Sequence, residues 1–175
     1  MKRNEDLNIM ITKEFKEIIF DGLKEVLKPL GYKKSGSTFS LSNGEITYYI
    51  NVQGSRDSTA TTLKLTLNIE IASAFLFKYE DTSIPEKWYR NYTKRIGQFQ
   101  DSSLDKWWVI ETRHEALSAS NEIIQLIKTK VLAEINTFQT TEDLARLWGL
   151  GKSPGLTQYQ KTKYLNIWEE HEPVE

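Results

Sequence analysis

Between Leu63 and Ile71 the chain alternates without a slip: Leu63, Leu65, Leu67, Ile69 and Ile71 share one parity, and Lys64, Thr66, Asn68 and Glu70 the other. A period of two held over nine residues is the pattern of a half-buried β-strand and is incompatible with a helix, where the same residues would be scattered round the axis. Such a strand needs partners. Upstream, Phe39 and Leu41 alternate with polar residues, Ser42-Asn43-Gly44-Glu45 supplies turn chemistry around an Asn-Gly pair, and Ile46, Tyr48, Ile50 and Val52 alternate on the return. These segments predict an antiparallel meander with one apolar face, which helices must cover.

Two helices are available to do so. Phe15, Ile18, Ile19, Gly22, Leu23, Val26 and Leu27 recur at helical spacing, opposite Lys13, Glu14, Lys16, Glu17, Asp21, Lys24 and Glu25. Thr12 is placed to cap this helix, and Pro29 with Gly31 ends it. Gly22, inside the apolar stripe, predicts a close approach by a neighbouring backbone. A longer helix later in the chain carries Leu117, Ile124, Ile127, Val131, Ile135 and Phe138 on one side. Between sheet and long helix, Trp88 to Phe99 reads as a short helix and Lys106 to Glu111 as a further strand. Short helical pieces around Leu144, Leu147 and Trp148, then Tyr164, Leu165 and Trp168, close the chain. The expected architecture is α+β: an antiparallel β-sheet of about 4–5 strands, one face packed by the N-terminal helix and the long helix. The 175 residues read as a single domain with an acidic tail over about 169–175.

Composition narrows the function. Twenty-three basic residues face 24 acidic ones, a net charge of −1 that gives no surplus for counterion-release binding to nucleic acid. No run approaches the roughly 18 apolar residues of a membrane span. The mixed-charge Met1–Asp6 start does not read as a signal peptide, so the cytoplasm is the expected compartment. With no cysteine, disulfides, thiolate metal sites and cysteine nucleophiles are excluded.

The candidate chemistry is thin. His114 and His171 are the only histidines, and neither has a second His at ligand spacing, so no metal and no cofactor is expected. Gly149-Leu150-Gly151-Lys152-Ser153 superficially resembles a phosphate loop. Arg146 stands where the motif needs its first glycine, and a helix precedes it where a strand is needed, so the segment reads as an interhelical turn. No nucleophile elbow occurs. The pattern instead draws attention to the second face of the sheet. Thr47, Tyr49, Asn51 and Gln53 share one side of one strand, and Thr66, Asn68 and Glu70 one side of the next. Only one of Trp107 and Trp108 can turn to the core from a regular strand, so either Trp107 or Trp108 rims this polar surface. Tyr49, Asn51, Gln53, Asn68, Glu70 and Trp107 are therefore the candidate ligand or partner surface, with no catalytic residue assigned.

Two stretches carry a family resemblance. One is Leu27-Lys28-Pro29-Leu30-Gly31-Tyr32-Lys33-Lys34-Ser35-Gly36, leading into Phe39 and Ile50-Asn51-Val52-Gln53-Gly54-Ser55; the other is Arg95-Ile96-Gly97 followed by Trp107-Trp108. Together they resemble a bacterial domain-of-unknown-function family numbered 4304, over roughly residues 12 to 135. The resemblance implies a bacterial cytoplasmic protein and carries no catalytic residues with it. The leading reading is a non-enzymatic binding or protein-interaction domain using the polar sheet face, its partner an unidentified protein or small ligand. The alternative is an enzyme or small-molecule receptor with a pocket between sheet and long helix, drawing on Tyr48 or Tyr49 with Arg90, Arg95 or Glu70. A weaker alternative is an immunity protein of a toxin system.

Overall fold

A computed structural model describes residues 2–100 and 104–172, with side chains from Thr12 onward. Helix α1 (Lys2–Leu27) leads into a six-stranded antiparallel sheet: β1 (Lys33–Ser35), β2 (Thr38–Ser42), β3 (Ile46–Gly54), β4 (Leu63–Ser73), β5 (Tyr92–Arg95) and β6 (Trp108–Ile110). The spatial order is β1-β2-β3-β4-β5, with β6 pairing further along β4. Helix α2 (Ala74–Tyr79) follows β4; α3 (Arg113–Leu126), a π-helical segment (Ile127–Val131) and α4 (Leu132–Ile135) form one continuous rod; α5 (Thr141–Gly149) and α6 (Gln158–His171) end the chain. The α+β class and the antiparallel sheet agree with the sequence reading.

The alternating leucines and isoleucines of β4 are all buried, at the centre of one hydrophobic cluster. Phe15, Ile19, Leu23 and Leu27 of α1, four residues apart, cover this face together with Ala116, Ala119, Ile123, Ile127, Val131 and Ile135 of the long rod. Gly22 marks where the two helices cross. A methyl group there would meet Ser120 Oγ and lie 2.9 Å from Ile124 Cδ1, so the close approach is made by α3 side chains rather than by backbone.

Several local expectations need correction. Thr12 does not cap α1, because helical backbone continues from Lys2 through it. The Asn-Gly pair does not form the two central turn residues. Asn43 N–H bonds to Ile46 O at 3.1 Å, so Gly44 (φ 100°) and Glu45 occupy the tip, while the Asn43 side chain accepts from both Glu45 and Ile46. Leu117 faces solvent; Ala116 and Ser120 take the inward positions, since helical rotation puts 117 on the far side of the stripe set by Ile123 and Ile127. Trp88 to Phe99 is not a helix. Its centre is β5, paired with Asn68–Ile71, flanked by single 3-10 turns at Glu86–Trp88 and Ile96–Phe99. The Lys106–Glu111 strand is shorter than expected, with Trp108 and Ile110 inward and Val109 outward. The acidic tail is helical as far as His171, and residues 173–175 lie outside the described region.

The C-terminal helices pack on the sheet's end and flank. Ser73, at the α2 N-cap, shares a buried 2.7 Å hydrogen bond with Thr141, and Phe75 packs edge-on against Trp168 at 5.2 Å. The turn between α5 and α6, which contains Gly151-Lys152-Ser153, lies against β5: Thr93 N–H reaches Pro154 O at 3.4 Å. Arg95 N–H is taken by Gln98 Oε1 at 2.7 Å. The outer edge of β5 is thereby closed to strand addition.

Candidate functional site

The register of the sheet decides which polar side chains meet. Tyr49 lies opposite Glu70, which lies opposite Thr93; Asn51 lies opposite Asn68, which lies opposite Arg95; Gln53 lies opposite Thr66. Because side chains directly across antiparallel strands stand about 4.5–5.5 Å apart at Cβ, these rows are contact rows. Tyr49, Asn51, Gln53, Asn68, Glu70 and Trp107 all fall on the face away from α1 and α3, half-buried. Thr66 on the same parity is fully buried, covered by the chain leading into β6, and its hydroxyl donates to Lys106 O at 2.7 Å.

The face is a bonded grid. Asn51 Nδ2 donates to Thr38 Oγ1 at 2.9 Å, and Asn68 Nδ2 to Gln53 Oε1 at 2.8 Å. Arg90, just before β5, reaches back across the sheet. Its Nε donates to Glu70 Oε2 at 2.9 Å, its Nη1 to Tyr89 O at 2.6 Å, and its guanidinium lies 3.6 Å from the centroid of the Tyr49 ring. At the other end Trp107 Nε1 donates to Asp105 Oδ2 at 3.0 Å, and Arg95 Nη1 to the same oxygen at 2.5 Å. Lys64 and Arg95 both approach the Trp107 ring, at 5.6 and 5.3 Å from its centroid. Arginine over an aromatic face gains from the ring quadrupole, so Tyr49–Arg90 and Trp107–Arg95 are held in fixed poses.

Tyr49, Glu70, Arg90 and Arg95 also formed the polar set of the pocket alternative. The structure brings Tyr49, Glu70 and Arg90 into direct contact, but on the outer sheet face. Tyr48 points the other way, into the core, where its hydroxyl donates to Phe138 O at 2.7 Å and burial raises its pKa. Between sheet and rod the polar groups are Tyr92, Lys94 and Glu134: Lys94 Nζ bonds both Glu134 oxygens at 2.9 and 2.7 Å, and the Tyr92 hydroxyl donates to the same carboxylate at 2.5 Å. Burial, then Glu134, pushes the Tyr92 phenol upward. This closed knot satisfies its own members.

A second polar group, unmarked in the sequence, lies where α6 meets the segment before β5. Glu80 accepts from Lys163 Nζ at 2.6 Å and from the Tyr89 hydroxyl. Burial raises the Tyr89 and Tyr164 phenols, and the Glu80 carboxylate, by accepting from its ammonium, holds Lys163 above the ordinary lysine value. Glu80 and Lys163 are 83 residues apart, and no local spacing betrays that pairing. Among the described residues no group of three or more His, Asp or Glu side chains is arranged to hold a metal ion. No helix among them is long and apolar enough to cross a membrane.

The arrangement defines an α+β domain with helices on one side of an antiparallel sheet and a hydrogen-bonded polar face on the other. The chain matches the model of the domain of unknown function DUF4304 over residues 23–136 and belongs to that family. The match takes in all six strands and the long rod but not α5 and α6. No curated protein and no solved structure matches the chain.

Proposed function

We propose that this protein is a non-enzymatic binding domain, working in the bacterial cytoplasm, whose recognition surface is the polar sheet face bearing Tyr49, Asn51, Gln53, Asn68, Glu70 and Trp107. The carrying observation is the grid itself: amides, a carboxylate, two arginines and two aromatic rings held on adjacent strands or just beside them, each tied to a neighbour on the same face. Side chains fixed before a partner arrives lose less rotamer entropy on binding, about 0.5–1.5 kcal/mol for each flexible one. Aromatic rings beside arginines are also the residue types that dominate binding hot spots.

The experiment is quantitative affinity capture from native lysate on three immobilised proteins: wild type, Tyr49→Ala with Asn51→Ala, and a helix-face control, Glu17→Ala. Partners using this face should fall about thirtyfold or more on the double variant and be unchanged on the control. If every partner recovered by wild type is held equally well by Tyr49→Ala with Asn51→Ala, the proposed surface is wrong.

A further inference from the structure

The segment before β5 and helix α6 enclose a hollow of about 460 Å³, a volume in the range of small-molecule sites. It is a bounded chamber. Pro154 O takes the Thr93 N–H at 3.4 Å, and a methyl group on Gly155 would meet Thr93 O, so the turn before α6 walls it off from the rest of β5. Two large rings stand in water at its mouth, one from each wall: Trp88 is 66% exposed and Tyr159 76%. Lys87 lies 5.5 Å from the Trp88 centroid, which leaves the ring's other face to an incoming partner.

The charges around the hollow cancel. Lys163 is paired with Glu80 at 2.6 Å, and Arg90, at the margin, is held by Glu70 at 2.9 Å, so neither an anion nor a cation is called for. Hydrogen-bonding capacity does not cancel. Both Glu80 oxygens are occupied, Oε1 by Lys163 and Oε2 by the Tyr89 hydroxyl, and Gln160 Oε1 is spent on the N-terminal cap of α6 at Thr157. The Lys163 ammonium keeps N–H groups beyond the one given to Glu80, and Gln160 Nε2 is a further donor. Deeper in, the fully buried Asn91 amide nitrogen has no hydrogen-bond partner. It stands by the Tyr89 and Tyr164 phenols that line the hollow, where it works against the rise that burial gives them. Among these groups donors outnumber acceptors, so an occupant has to bring acceptors without bringing charge.

We propose that this hollow binds a small, uncharged, flat heteroaromatic molecule bearing ring carbonyl oxygens. The ring seats between Trp88 and Tyr159, and its carbonyls accept from Lys163 and Gln160. Stiff aromatic side chains supply contact area at low entropic cost, and the neutral carbonyls take the donors left over by Glu80. The α6 wall lies beyond the family-matched residues 23–136, so the site belongs to this chain's C-terminal helices rather than to the shared domain. None of the six sheet-face residues takes part, and the two proposals stand or fall separately.

The test is isothermal titration calorimetry of the full chain with riboflavin, thymidine and caffeine, which are neutral flat rings carrying carbonyls. The comparison ligands are indole, flat without an acceptor, and benzoate, flat and anionic. At least one of the first group should bind about tenfold or more tightly than both comparison ligands. Trp88→Ala and Tyr159→Ala, both at exposed positions, should each weaken it about tenfold with the melting temperature unmoved, whereas Tyr49→Ala with Asn51→Ala should leave it unchanged. No binding of the three carbonyl ligands at about 1 mM, tighter binding of indole or benzoate, or affinities within about twofold of wild type on both ring variants would overturn the inference. Loss on Tyr49→Ala with Asn51→Ala alone would also overturn it and move the ligand to the sheet face.

Discussion

Replacing Gly97 by alanine tests the packing that presents Trp107. Gly97 is buried in the 3-10 turn after β5, and an added Cβ would meet the Leu104 carbonyl oxygen while lying 2.7 Å from Lys106 N and 3.0 Å from Lys106 Cβ. Two of these obstacles are backbone, so no side-chain rotation relieves them. To reach the ordinary 3.4 Å the chain at Lys106 must retreat by about 0.7 Å. Overpacking of this kind costs about 1–3 kcal/mol. The same retreat stretches the 2.7 Å bond from the buried Thr66 hydroxyl to Lys106 O, and an unsatisfied buried hydroxyl costs about 1–3 kcal/mol more. The expected loss is about 2–6 kcal/mol, which at a urea slope of about 2 kcal/mol/M moves the unfolding midpoint down by roughly 1–3 M. Urea titration followed by tryptophan fluorescence measures this directly. Gly54→Ala, where an added methyl meets nothing within 4 Å, is the control and should stay near wild type. Equal midpoints for the two variants would refute the reasoning.

Leu67→Ala, at a fully buried position in the middle of β4, should cost about 2–5 kcal/mol in chemical denaturation; a loss under 1 kcal/mol would mean the sheet's apolar face is not the core. Tyr32, Tyr48, Tyr89, Tyr92 and Tyr164 all have phenols raised above 10.0, chiefly by burial. Because the folded values exceed the unfolded ones, their contribution to stability is complete below pH 10 and is lost as pH rises through the raised values. Ultraviolet titration should show their ionisation lagging until circular dichroism reports unfolding; full tyrosinate absorbance with native dichroism would contradict the burial. For Glu122 burial alone would raise the carboxyl, but bonds from Lys106 and Trp108 outweigh it and hold it below 4.5. A depressed value contributes stability above the unfolded pKa that is lost as pH falls through the folded one. Glu122→Gln should therefore melt lower than wild type at neutral pH, with the gap closing as pH falls below about 4.5; a gap that persists in acid would assign the effect to shape rather than charge.

What could be read in advance was whatever a local period reports. The strict alternation through β3 and β4 placed Tyr49, Asn51, Gln53, Asn68 and Glu70 on one face, and the pairing register then set them opposite one another. β5 escaped because it is four residues long and carries no contrast: Tyr92 and Lys94 turn inward, but Lys94 does so as half of an ion pair with Glu134, which no hydropathy pattern marks as interior. Leu117 misled because a lone exposed leucine sits near a true stripe whose inward residues, Ala116, Ala119 and Ser120, are small or polar. The hollow between the segment before β5 and α6 was invisible for a different reason. Its walls come from residues 80–93 and 155–164, and only tertiary contact joins them.

The wide turn at Ile127–Val131 has a consequence for how the rod tolerates change in length. Ile123, Ile127, Val131 and Ile135 recur every four residues, and in an ideal α-helix that spacing drifts by about 40° per step, enough to swing Ile135 off the sheet. The π-helical segment absorbs the excess as one surplus residue, keeping both ends of the inward row aligned. Removing a single amino acid between Lys128 and Lys130 should let the rod relax to regular α geometry with its two ends still facing the leucines of β4. The same deletion four residues earlier would rotate only the stretch between it and the wide turn, because the slack lies beyond that stretch.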